Sequence, residues 1–200
     1  MGRKKLGPTR RLEIVEAFYE VAKETGLENA SIAKVADFMG ISNGLVMHYF
    51  NTKDELLIGL NEYILEQHLN VMTTNNSGVI ETRKDLENLI KSLFSRKWNQ
   101  YFDDGVFYNC YALIYRNTTF NDSFKQYLLK LHGVLKEKLQ QAHTNQVIRN
   151  TNINELTEII FALIDGSYYY LGLFNQNDRI HKKQQKIYID HCLSLFKYPD

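Results

Sequence analysis

The 200-residue sequence predicts an all-α fold, and three observations carry that reading. Apolar residues recur at a spacing near 3.6 through most of the chain, in stretches longer than strands run. The two prolines are Pro8 and Pro199, so nothing between them forces a helix to break. Capping residues and glycines punctuate the periodic stretches where helices would start and stop. Hydrophobic residues make up 44% of the chain, enough for a core. A length beyond the ~150 residues of an average domain suits a small head on a larger body.

The first helix is predicted over about Thr9 to Thr25, with Leu12, Val15, Ala17, Phe18, Tyr19 and Ala22 apolar and Gly26 as its stop. Ser31 is a natural N-cap for a short second helix carrying Ile32, Val35, Ala36 and Met39, which Gly40 ends. Ser42 caps a third that opens on Asn43. These three form the head, residues 1–53. Thr52-Lys53-Asp54-Glu55 reads as a capping box for a fourth helix. Leu56, Leu57, Leu60, Tyr63, Ile64 and Val71 continue its face to about Thr73, leading into the body, residues 54–200. After a polar turn at 75–78, a helix from near Thr82 carries Leu86, Leu89, Ile90, Leu93, Phe94, Lys97 and Trp98. Asp103-Asp104-Gly105 interrupts the pattern. Further helices are predicted from Val106 to about Arg116, Asp122 to Ala142, Ile153 to Phe174 and Arg179 to Phe196.

The stretch from Ser31 to Phe50, SIAKVADFMGISNGLVMHYF, has the form of a helix-turn-helix that reads DNA. Asn43, Gly44 and Leu45, just after the Ser42 cap, are the positions such a motif presents to base edges. Ser31, His48, Tyr49 and Lys53 are candidate phosphate anchors. Lys53 opposes the helix dipole from the first turn of its helix, an arrangement that an anion such as phosphate would relieve. Net charge is only +1, which argues against indiscriminate coating of nucleic acid. The cations cluster in front instead. Arg3, Lys4, Lys5, Arg10 and Arg11 all precede the first acidic residue, Glu13, and read as phosphate or minor-groove contacts, with a solvated terminus as the alternative.

Ala36, Gly40, Ser42, Gly44, the His48-Tyr49-Phe50 triplet, Lys53 and Leu56 resemble, in type and spacing, the DNA-binding end of the TetR family of bacterial transcriptional regulators. Ser42-Asn43-Gly44 followed by His48-Tyr49-Phe50 is most similar to the repressors of choline and betaine operons. Met47 stands where many members carry a phosphate-touching tyrosine, so that contact passes to His48 or Tyr49. The resemblance covers about residues 10 to 60. It implies about nine helices in all, an operator in double-stranded DNA, a small-molecule effector, and a homodimer whose last two helices pair as a four-helix bundle. Gly166 and Gly172, within one of those helices, suit close approach by a neighbour.

Aromatics are 12% of the chain, with 13 tyrosines. A buried tyrosine needs a hydrogen-bond partner, so tyrosines facing inward suit a polar-edged cavity, with core packing as the alternative. The candidate lining residues are Phe94, Trp98, Tyr101, Phe107, Tyr108, Tyr111, Tyr115 and Tyr127. Ala162-Leu163-Ile164-Asp165-Gly166 is similar to a segment of the choline-type subgroup. By that resemblance Asp165 is a candidate counter-charge for a quaternary ammonium held by cation-π attraction, with a hydrogen bond across the dimer or a solvent-facing position as the alternatives. Another hydrophobic compound would suit the same rings. An alternative body docks a protein partner and has no small effector.

Other classes are disfavoured. His68, His132, His143, His181 and His191 fall in no metalloprotease or zinc pattern, and neither a nucleophile elbow nor a glycine-rich phosphate loop occurs, so no enzyme, metal site or cofactor is expected. His191 and Cys192 are adjacent, about 100° apart on a helix, which is poor geometry for a base and its thiol. Cys110 and Cys192 have no paired spacing and read as small buried hydrophobes. No apolar run reaches the ~18 residues of a membrane span, and the expected location is the cytoplasm.

Overall fold

The computed structural model describes residues 6–74, 78–95, 103–174 and 178–199. The expectations for Arg3, Lys4, Lys5, Trp98 and Tyr101 therefore lie outside the described residues. Nine α-helices make up the regular structure there: α1 Leu6–Thr25, α2 Ile32–Met39, α3 Asn43–Tyr49, α4 Lys53–Thr74, α5 Arg83–Leu93, α6 Asp104–Leu113, α7 Thr118–Thr144, α8 Ile153–Gly172 and α9 Arg179–Ser194. The all-α class holds.

Most boundaries follow from caps. Ser31 Oγ accepts from the Lys34 amide and Ser42 Oγ from the Leu45 amide, as expected of N-caps. Gly40 closes α2 in the left-handed conformation (φ 65°), where a side chain is strained, and its N–H returns to the Ala36 and Asp37 carbonyls. Helices α1 and α6 begin at Leu6 and Asp104 rather than at Thr9 and Val106, and two further starts are built differently from the sequence reading. Thr52 caps α4 through the Glu55 amide, but the Glu55 carboxylate accepts from the Asn51 amide rather than from Thr52. The full reciprocal box lies at α5, where Thr82 Oγ1 accepts from Asp85 N and Asp85 Oδ2 accepts from Thr82 N. Helix α7 begins at Thr118 instead of Asp122, because Asn117 Oδ1 accepts from the Phe120 amide at 2.9 Å and turns an apparent loop into a cap.

The chain divides into two compact units. One comprises residues up to Gln67 together with 100–128; the other comprises 68–99 and 129–200. The first is built on Ile14, Phe18, Val35, Val46, Phe50, Leu56 and Leu60, all buried. Within it α4 passes close to its neighbours at Gly59, where a Cβ would lie 2.9 Å from Val15 Cγ2 and 3.1 Å from Phe50 Cε1. Three polar bonds stitch the later residues of this unit to the earlier ones. Tyr19 Oη accepts the Asp103 amide at 2.5 Å, Asn61 Nδ2 donates to Ser123 Oγ, and Asn117 Nδ2 donates to Asp54 Oδ2. These bonds place α6 and the start of α7 in one unit with the first three helices.

In the second unit Leu86, Leu89, Ile90, Leu135, Leu139, Ile153 and Ile160 are buried together with Cys192. Asn150 is its polar tie, donating to the Leu195 carbonyl and accepting from the Lys197 amide. Cys110 in the first unit and Cys192 in the second are free and buried, and burial pushes both thiols up to about 12.

His68, on the α4 stretch of the second unit, has its pKa pushed down to about 3 by burial. An unfolded histidine titrates near 6.5. Between these values the unfolded chain binds a proton that the folded chain refuses, so stability is full above about pH 6.5 and falls as the pH drops. The loss by about pH 5 is about 2 kcal/mol. Urea titrations near neutrality and near pH 5 should show this loss in the native protein and a flatter dependence in His68→Gln; equal slopes in the two would remove His68 as the cause.

Candidate nucleic-acid interface

Helix α3 is two turns long, too short to be stable alone, and is held by its buried Val46 and by the following Phe50. That anchoring leaves Asn43, Gly44, Leu45, Met47 and His48 exposed. Leu45 and Met47 are 37% and 48% exposed and offer apolar surface suited to the thymine methyl groups of a groove. Asn43 supplies an amide of the type that pairs with adenine. Ser31 and Ser42 use their hydroxyl oxygens as cap acceptors, and each hydroxyl keeps a proton to donate. His48 packs edge-on against Tyr49, ring centroids 5.1 Å apart.

The cations read as phosphate contacts are placed differently. Arg10 pairs with Glu13 at 2.6 Å. Arg11 Nη1 donates to the Tyr49 carbonyl at 2.6 Å, and its guanidinium lies 4.0 Å from the centroid of the Phe50 ring. Lys53 Nζ donates to the carbonyls of Leu27 and Glu28, each at 2.9 Å, in the turn between α1 and α2. Desolvation there lowers the Lys53 pKa from the usual lysine value, while the Glu28 and Asp54 carboxylates oppose the shift. Arg11 and Lys53 thus serve main-chain carbonyls of the first unit, and Arg10 a carboxylate of its own helix. A cation that sequence reasoning missed is Lys34, exposed in the first turn of α2 and near enough for its charge to depress Lys53 further. Its signal was its place three residues after the Ser31 cap.

A groove of about 490 Å³ also lies in this unit, lined by Glu13, Glu16 and Glu20 together with Tyr19, Phe38 and Tyr63. Three carboxylates repel a polyanion, so this side is unsuited to the duplex.

The candidate effector residues separate into groups. Phe107, Tyr111 and Tyr127 come together around Phe124, with Tyr127, Tyr111 and Phe107 ring centroids 5.0, 5.7 and 6.2 Å from it, and Tyr108 packs edge-on against Phe107 at 5.3 Å. Phe120, which the sequence reading did not single out, joins at 6.2 Å. Phe94 belongs to the second unit, where its ring stacks on Tyr188 and its carbonyl accepts from Gln185. Tyr115 lies just beyond the end of α6 and is 80% exposed, which removes it from this ring cluster. Asp165 is exposed on α8. Trp98 and Tyr101 lie outside the described residues.

A short exposed α3 that completes a three-helix head, followed by six further helices, is the architecture of a helix-turn-helix regulator. Residues 14–60 match the model for bacterial regulatory proteins of the tetR family, and residues 81–198 match that for the tetracyclin repressor-like C-terminal domain. The chain belongs to the TetR family of DNA-binding transcriptional regulators, which are not enzymes. It is similar to the HTH-type transcriptional regulator BetI of Yersinia pestis (strain Pestoides F), 36% identical over 76 residues that cover 34% of this chain and 38% of that protein. The chain thus aligns with well under half the length of such curated relatives. Among solved structures, a TetR-family regulator from Mesorhizobium loti matches with a TM-score of 0.79 at 13% identity over 96% of this chain and 98% of that one. A transcriptional regulator from Saccharomonospora viridis in complex with choline matches with a TM-score of 0.69 at 18% identity, covering 92% and 97%. No helix among the described residues is long and apolar enough to cross a membrane.

Proposed function

We propose that the protein is a cytoplasmic homodimeric repressor that leaves its operator when a small molecule binds its body. One observation carries the reading: the exposed α3 residues sit on a rigid scaffold whose α1 is bonded, through Tyr19 and the Asp103 amide, to the start of the helix that bears Phe107, Tyr108 and Tyr111. A compound that prefers one arrangement of the rings around Phe124 would shift α6, and Asp103 would carry the shift to α1. Such a ligand weakens DNA binding only through its preference for the arrangement in which two recognition helices no longer match half-sites roughly 34 to 36 Å apart.

Dimerisation through α8 and α9 is supported by apolar side chains left exposed on both, Ile159, Tyr169, Tyr170 and Leu173 on or just after α8, and Ile180 and Ile187 on α9. A Cβ at Gly166 would meet nothing in its own chain, leaving room for a partner backbone. The BetI likeness and the choline complex make quaternary ammonium compounds the first effectors to try, with Asp165 supplying charge from α8 and the rings supplying cation-π faces. Asn43 and Leu45 read bases; His48, Tyr49 and Lys34 meet the backbone.

Selection of bound duplex from a random pool, repeated with choline, betaine aldehyde and other quaternary or hydrophobic amines, tests head and sensor together. The expected result is one enriched motif that a ligand of this class releases. A motif that no metabolite releases would favour a body that docks a protein partner instead. Lys34→Ala should weaken all duplexes alike and lower the salt slope by about one; an unchanged slope would remove Lys34 from the phosphate contacts.

A further inference from the structure

We infer that Arg11 is a positioning residue for sequence discrimination: it caps and orients the recognition helix and makes no phosphate contact. The inference rests on the reading of α3 as the element that enters the groove.

Helix α3 ends without the usual device. Its C-cap, Phe50, is extended (φ −141°, ψ 104°), so the left-handed turn that would fold amides back onto the last carbonyls is missing. The Phe50 amide returns to the Val46 carbonyl, and the carbonyl of the final residue, Tyr49, is served by Arg11, 38 residues away. A fixed positive charge at the helix C-terminus also complements its dipole, which counts most in a helix of two turns.

The guanidinium is braced on its second side. It lies 4.0 Å from the centre of the Phe50 ring, and that ring is fully buried, with its edge against Gly59. Arg11 therefore joins α1, the end of α3 and the core ring beside α4 at one point. Asn43 and Leu45 sit at the other end of the same short rod, so a small tilt at Tyr49 displaces both from base edges. A phosphate contact would strengthen operator and random DNA equally; a brace of this kind acts on their ratio.

The test measures binding of the full-length protein, by fluorescence anisotropy, to the duplex recovered by selection and to a scrambled duplex, from roughly 50 to 200 mM salt. In Arg11→Met the operator-to-scrambled ratio should fall about ten-fold while the salt slope stays that of the native protein. Arg11→Lys, which keeps a charged donor for the carbonyl, should recover much of the ratio, and it carries the test if the methionine variant does not fold. A slope lower by about one with an unchanged ratio would overturn the assignment and make Arg11 a phosphate contact. A native protein that prefers no duplex would instead overturn the reading of α3 itself.

Discussion

Asn43→Ala protein is expected to bind its selected duplex with discrimination reduced by about 1–3 kcal/mol at one base position, roughly five-fold to 150-fold. Asn43 is the first residue of α3 and is exposed, while the cap is supplied by Ser42, so removing the amide leaves the helix start in place. The loss should therefore appear as tolerance of base changes at one site, with binding to random DNA and the salt slope unaltered. Titration against single-position variants of the selected duplex reads this out. Uniform weakening across all of them would mean that Asn43 serves the fold or the backbone and that bases are read elsewhere.

Gly59→Val should destabilise the first unit. A Cβ there falls 2.9 Å from Val15 Cγ2 and 3.1 Å from Phe50 Cε1, below ordinary contact. Val15 and Phe50 are 4% and 0% exposed and have nowhere to retreat. Overpacking of this kind costs about 1–3 kcal/mol or more. Gly59→Ala sharpens the argument because two effects oppose. Helix propensity favours alanine by about 1 kcal/mol, while packing disfavours any side chain. Packing should win, since the obstructing atoms belong to the core rather than to the tip of a flexible side chain. Thermal unfolding should place both variants below the native protein, valine further; an alanine variant more stable than native would show that the core yields.

The head was legible because its signals are local. Ser31, Ser42 and Gly40 each act on amides or carbonyls within a few residues, so type and spacing were enough to place α2 and α3. The partners of Arg11 and Lys53 were not legible, because they lie 38 and 25–26 residues away in sequence. A run of cations near a DNA-reading motif looks the same whether its charges meet phosphate or main-chain carbonyls. The aromatic set shows the same limit. Periodicity indicates that Phe94 and Phe107 both face inward, yet Phe94 packs on Tyr188 and Phe107 on Phe124 in different units. Helix spacing fixes the side on which a residue faces, and only tertiary packing decides its neighbours.

The two thiols give the molecule a pair of silent chemical clocks. Cys110 and Cys192 are shielded and stay protonated at any physiological pH, so an alkylating reagent marks each only when its surroundings open. One resides in each unit, which lets mass spectrometry time the loosening of either half separately as candidate effectors are added.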